Sequence, residues 1–468
     1  MISKTGALAA IAAVLAAIAC NEQEVTPTGA ETSAQRSDEL TVVNPDCSAY
    51  AAAAPVLKPP FDAYFDVTLL SCSLPGVPAS ASNYISRRIA HDVSGDFGGQ
   101  IAVSTDIFTA DIGQIDLVDP VTGALDPLAL NFMRPNLIAF PAPASAYTAG
   151  LYYFQQWDFP APDHPASSRK VYRLDPGVDY VGDGTPASVG TQFETNGMDA
   201  GSGLIFAPDS FGSLGGQLFG SDSGNAPGST SGDGVRRWDS AGTFTNEIMG
   251  NTANNPDTFA DLTFTGEEFG AFSNRLVVAN TTGINGRNLF TWTAASIEGN
   301  VDPLSTYWSY ALFHVVSNPG DAGQYMRRVT YGAYGEKGVL FGATQGSVYR
   351  FNANQSKQEF LSASPGFNDI EFSGNRTLFV ADLYSGLYRV DPSPARFATF
   401  LSTRRCAAAA PLAATVSEWT VGGECPGAAA LCALADSCGR TCFSSTEQKI
   451  ITDAVQAICE LDCSDALE

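Results

Sequence analysis

Along the middle of the chain, apolar and polar residues alternate in short runs, and the runs recur in ordered groups of three. The clearest group begins at Phe367 and reads FNDIEFSGNRTLFVADLYSGLYRVDP. It holds a first alternating strand, a Gly-Asn turn, a second strand, and a third strand that ends in an acidic turn. The third-strand pattern, apolar-x-x-apolar before Asp, Asn or Thr, runs from Ile115 to Asp119, Val171 to Asp175, Val235 to Asp239, Leu289 to Thr293, Val348 to Asn352 and Leu387 to Asp391. Each copy follows a second run, beginning at Ile101, Leu151, Leu218, Leu276, Leu340 and Leu378. Each second run follows a first, at Ile89, Ile138, Leu204, Leu262, Val329 and Ile370. Three strands in fixed order, repeated six times, are an internal repeat.

A repeat of about forty to sixty residues with three or four antiparallel strands cannot bury both faces of its small sheet alone. Packing neighbours around an axis solves the problem, so the expected fold is all-β, a six-bladed β-propeller over 46–402. The units resemble those of the six-bladed superfamily that includes NHL-repeat proteins and gluconolactonase-like enzymes, over roughly Tyr64 to Leu401. Such rings are commonly closed by an N-terminal strand in the last blade. The run Val67 to Gly76 matches the run Glu359 to Gly366 and is a candidate for that strand; Arg396 to Leu401 is the rival.

The resemblance implies a ligand site at the channel mouth, among residues just before each first strand. Aligned copies place Arg88, Leu137, Gly203, Asp261, Arg328 and Asp369 in one ring, preceded by Arg87, Asn136, Ser202, Ala260, Arg327 and Asn368. Arg88, Asn136, Asp261, Arg328, Asn368 and Asp369 are the candidate ligand-binding residues. The gluconolactonase-like resemblance implies a divalent ion on carboxylate and amide oxygens, which Asp261, Asp369 and Asn136 supply in kind for calcium. Two arginines in the same ring oppose a cation, and Arg–Asp pairing across the channel is the plainer expectation. A ring of this kind also suits a small carboxylate or a sugar acid. His91 aligns with Phe140, Phe206, Phe264, Tyr331 and Phe372, a packing position. His164 and His314 have no evident partner, so three histidines leave little for a triad or a zinc site.

At the N-terminus, Lys4 precedes an apolar run from Ala7 to Ala19 that is too short to span a bilayer. Ala17-Ile18-Ala19-Cys20 resembles the lipobox of bacterial lipoproteins, which implies lipidation of Cys20 after removal of 1–20. A polar stretch over 21–45 suits a flexible tether. Ala17-x-Ala19 is also a cleavage site for ordinary signal peptidase, and a secreted, unanchored form is the alternative. The expected address is the cell envelope, as an outer-membrane lipoprotein or a secreted protein.

After Arg405 the pattern changes. A linker is expected over 403–425 and a cysteine-rich helical hairpin over 426–468. Cys438-x3-Cys442 and Cys459-x3-Cys463 put each pair one turn apart on a helix. Antiparallel helices near Pro426 to Cys442 and Thr446 to Cys463 would then carry two disulfide rungs, Cys438 to Cys463 and Cys442 to Cys459. This is similar to the twin C-x3-C helical hairpin of small stapled proteins. The pairing of Cys47, Cys72, Cys406, Cys425 and Cys432 stays open.

Composition narrows the partners. With 49 acidic against 25 basic residues the formal charge is −24, which disfavours nucleic acid. No cofactor is firmly implied beyond the calcium option. The expected partners are the membrane, through the lipid, and an unknown protein or small molecule. The function class is a binding or scaffold propeller, with a calcium-dependent gluconolactonase-like hydrolase as the alternative.

Overall fold

The computed structural model describes residues 41–42, 54–72, 74, 85–107, 112–132, 134–143, 145–155, 170–181, 189–193, 201–222, 234–248, 259–280, 288–299, 311–315, 326–335, 337–363, 366–374, 376–383, 386–404, 409–437 and 443–463. Six sheets, antiparallel apart from two short parallel edge strands, form a ring, a six-bladed β-propeller. The innermost strands are Ile85–His91, Pro135–Ala139, Gly201–Phe206, Phe259–Phe264, Arg328–Tyr334 and Phe367–Phe372. Each expected group of three runs forms the three inner strands of one blade, blade one to blade six in chain order.

Adjacent blades are joined by aromatic rings at one recurring position. Phe140 of blade two meets Phe97 of blade one at 5.5 Å between centroids, and Phe206 of blade three meets Tyr147 at 4.8 Å. Phe264 meets Phe211 at 4.7 Å, Tyr331 meets Phe269 at 5.4 Å, and Phe372 meets Tyr334 at 5.5 Å. His91 completes the series against Phe379 of blade six at 5.9 Å, in the packing role expected for it. Edge-to-face and tilted pairs at these spacings add to the gain from burial, so one ring per blade fastens each sheet to the one before.

The closing strand is N-terminal. Phe65–Ser71 pairs antiparallel with Leu387–Pro392 and completes blade six. Its rival is a helix, Pro394–Ser402, whose Ser393 side chain caps the Arg396 amide at 3.3 Å and whose Pro394 stands in the first turn. Phe397, Phe400 and Leu401 are buried at helical spacing, not in alternation. Thr41–Val42, expected in the tether, adds a short parallel edge strand beside Thr68 and Leu69.

The C-terminal region corrects two further expectations. The segment expected as a linker holds helix Ala409–Val416 and Trp419, which is buried with its indole N–H donating to the Pro426 carbonyl at 3.0 Å. Helices Ala428–Ser437 and Ser445–Cys459 follow, as a hairpin requires, but the rungs are Cys425–Cys459 and Cys432–Cys463. The expected partners Cys438 and Cys442 therefore do not pair with Cys463 and Cys459. The four-residue spacing misled because the helix ends at Cys459. Glu460 is left-handed, with φ 59°, and turns the chain away, so Cys459 and Cys463 do not share a helical face. Cys72 is disulfide-bonded as well. Cys438 and Cys442 themselves, with Cys20, the leader 1–20, Cys47, Cys406 and His164, lie outside the described residues.

These helices share one apolar core with blades five and six. Phe397, Trp419, Leu431, Ile451 and Val455 belong to the same buried cluster as Phe65, Tyr334 and Phe372. Disulfides fit an oxidising compartment outside the cytoplasm, and no described helix is long and apolar enough to cross a membrane.

Candidate functional site

All six inner strands wall a central cavity of about 260 Å³. Of the aligned ring, Arg88, Leu137, Gly203, Asp261 and Asp369 line it. Arg88, Leu137 and Asp369 are buried, so this ring forms part of the inner wall of the cavity. Arg328 stands outside the lining. Its Nε reaches Asp369 Oδ1 at 3.3 Å and the Asn368 carbonyl at 3.0 Å.

Asn136 and Asn368 do not line the cavity. In blades two, three, four and six the ladder between the two inner strands slips at the residue just before the ring. A bulge takes that residue out of the pairing and re-aims its neighbour. Asn368 then turns back on its own blade, its Nδ2 donating to the Asp382 carbonyl at 3.2 Å. Blades one and five, which carry Arg88 and Arg328, pair without a slip.

The two aspartates clamp neighbouring blades. Asp369 Oδ2 accepts from the Ile89 amide of blade one at 2.8 Å, and Asp261 Oδ2 accepts from the Val329 amide of blade five at 3.0 Å. Glycine is required at 203 because an added Cβ would lie 2.6 Å from Asp261 Oδ1 and 2.9 Å from Ser221 Oγ. Glu371, two residues beyond Asp369, also lines the cavity and was not anticipated. Residues i and i+2 lie on one side of a strand, and that rule applied to Asp369 would have found it.

Burial sets the charge states. It pushes Asp261 and Glu371 well above the usual carboxyl range, with Asp369 adding to both, and it pushes Asp369 up to about 6 against the pull of Arg88. Burial lowers Arg88, while Asp369, Asp261 and Asp106 raise it. It also lowers His91. Asp106 is itself held by Arg134 through contacts of 2.6 and 2.9 Å.

The expected calcium set does not fit this arrangement. Asp369 offers Oδ1 to Arg328 and Oδ2 to a backbone amide, Arg88 shares the space, and Asn136 is elsewhere. Calcium needs six to eight convergent oxygens, and among the described residues no three His, Cys, Asp or Glu side chains gather as a metal cluster.

A second, more open cavity of about 580 Å³ lies between blades one and six. It shares His91 and Val93 with the channel cavity and extends past Thr377, Phe379 and Arg389. Asp92 at its edge organises its own loop, accepting from Ser94 Oγ at 2.6 Å and from the Gly95, Phe97 and Gly99 amides at 2.7–3.0 Å.

No family model matches the chain, and no curated protein matches it. Solved structures that it resembles include a gluconolactonase from Xanthomonas campestris, 14% identical with a TM-score of 0.43 over 72% of this chain and 94% of that one. An auxiliary nutrient binding protein from Bacteroides thetaiotaomicron is 10% identical, with a TM-score of 0.45 over 70% and 76%. A streptogramin B lyase is 12% identical, with a TM-score of 0.40 over 70% and 98%.

Proposed function

We propose that this chain is an exported binding protein, carried at the bacterial envelope by a lipid on Cys20, that holds a small molecule in its central channel. The observation that supports this reading is the partly open central cavity, with apolar walls such as Ile138, Leu204, Ile205 and Leu262 around the ionisable groups Arg88, Asp261, Asp369 and Glu371. Small-molecule sites combine an apolar enclosure with a few placed polar groups. At about 260 Å³ the space suits a ligand smaller than a typical drug.

Three measurements test the reading. A thermal-shift screen of small metabolites is run on the mature protein and on Ala139→Leu, which adds bulk at a buried residue of the cavity lining. A ligand that raises the melting temperature of the wild type alone supports channel binding; one that acts on both variants overturns it. Mass spectrometry of membrane-extracted protein should find diacylglyceryl on Cys20, and an unmodified Cys20 at the mature N-terminus overturns the anchor. Metal analysis of the same preparation is expected to find no stoichiometric calcium. Calcium that is lost in Asp261→Ala/Asp369→Ala would instead favour the hydrolase.

A further inference from the structure

We propose that the groove between blades one and six continues the channel site, and that the two together seat an uncharged amphiphile. Its hydroxyl or amide head lies in the channel, and its hydrocarbon chain runs along the groove. This rests on the channel-binding reading and names its ligand class.

The two cavities meet at the open end of the channel. The inner strands of blades one, two and three end at His91, Ala139 and Phe206. Just beyond them, Val93, Ala142 and Pro208 line the channel cavity without being buried. At its other end the lining residues Arg88, Leu137 and Asp369 are buried. His91 and Val93 line both cavities, so the groove begins where the channel opens. The channel cavity alone, at about 260 Å³, falls short of the roughly 300–1,000 Å³ usual for a ligand pocket, and the groove adds about 580 Å³. The groove is floored by bare backbone at Gly95, Gly99 and Gly374, where an added Cβ would meet no atom within 4 Å.

The walls give the ligand class. Val93 and Val121 are 53% and 68% exposed, and with Pro120 they form an apolar rim that a hydrocarbon chain would cover. The charged side chains, by contrast, are matched within the protein. In the groove, Arg389 Nε pairs with Asp391 at 2.5 Å, its Nη1 donates to the Pro120 carbonyl at 2.9 Å, and Asp92 accepts from the amides of its own loop. In the channel, Asp369 holds Arg328 and the Ile89 amide, Asp261 accepts from the Val329 amide, and Glu371 accepts from the Thr330 hydroxyl. Arg88 stands among the carboxyl groups of Asp369, Asp261 and Asp106. A charged ligand entering here would lose its water and meet no opposite charge left to pair with it. A hydroxyl or an amide both donates and accepts, so it can bond a carboxyl or a guanidinium without that cost.

Isothermal calorimetry of the mature protein with butan-1-ol, octan-1-ol, octanoate and octylamine at pH 7.5 tests this. Octanol is expected to bind at least about tenfold more tightly than butanol, since each fully buried methylene adds roughly three- to fourfold and the groove is open on one side. It should also bind at least about tenfold more tightly than either charged analogue. Val121→Asp changes an exposed residue of the rim. The variant should melt like the wild type, leave butanol binding unchanged and bring octanol down to the butanol level. Val121→Ile, which stays apolar, should keep the octanol preference, and its loss there too overturns an apolar role for the rim. Equal affinity of the two alcohols, or an octanol preference that survives in Val121→Asp, overturns the groove and leaves channel binding in place. Octanoate or octylamine binding as tightly as octanol overturns the uncharged class. If neither alcohol binds, the proposal is overturned, and channel binding is decided by the Ala139→Leu screen.

Discussion

The ring and the C-terminal helices are stabilised in opposite ways. The ring repeats one solution six times, an apolar blade with one aromatic residue or His91 touching the blade before it, and closes by backbone pairing of Phe65–Ser71 with Leu387–Pro392. The helices repeat nothing. They carry two disulfides and lean on blades five and six through a common core. Polar contacts hold the seam: Gln456 Nε2 donates to the Tyr334 carbonyl at 2.6 Å, Lys337 reaches Asp462 at 2.8 Å, and Arg376 pairs with Glu460. A short helical unit has too little interior to stand alone, and here it borrows the propeller's. The ring can distribute a defect among neighbours, but it depends on the one strand that closes it.

The comparison breaks first at that strand. Leu69→Asp puts an unpaired charge at a position with 0% exposure and is expected to cost more than about 4 kcal/mol in urea melts, or to prevent soluble expression. A loss below about 1 kcal/mol would mean that the closing strand contributes little. Next come the inter-blade rings. Phe264→Ala should cost about 3–5 kcal/mol, whereas His91→Phe restores the aromatic found in the other blades and should change stability by less than about 1.5 kcal/mol. A large penalty for His91→Phe would show that the imidazole does more than pack.

Smaller and more local is the effect of the rungs. Cys425→Ser with Cys459→Ser should remove about 2–4 kcal/mol. In hydrogen exchange the loss should appear in Ser445–Cys459 and not in the inner strand Phe259–Phe264; equal acceleration of both would make ring and helices one cooperative unit. The least effect is expected from pH. Burial pushes Asp116 of blade one up to about 6. A raised native pKa means that the folded state binds the proton more tightly, so stability falls as pH rises from about 4 to about 6 and is level above. Asp116→Asn should flatten that slope and gain about 1–3 kcal/mol at pH 7. An unchanged slope in the variant would assign it to other groups.

The repeat was legible because period-two alternation survives in every blade, from Ile89 to Val390, and because His91 stands in register with five aromatic residues. The ring of Arg88, Asp261 and Asp369 was legible from the same alignment. Its companions Asn136 and Asn368 were misplaced, since a bulge shifts pairing by one residue without altering composition. Glu371 stands two residues beyond the aligned column, so alignment of the repeats alone does not include it.

The sequence by itself determined the six units, their strand order and the aligned packing position in each first strand, because alternation and repetition are local properties that a chain carries wherever it lies. The tertiary structure decided which strand closes the ring, which cysteines pair and how deeply the charged ring is buried. Each of these turns on contacts between residues far apart in the chain. Phe65 with Pro392, Cys425 with Cys459 and Asp369 with Ile89 meet only once the blades have come round the axis.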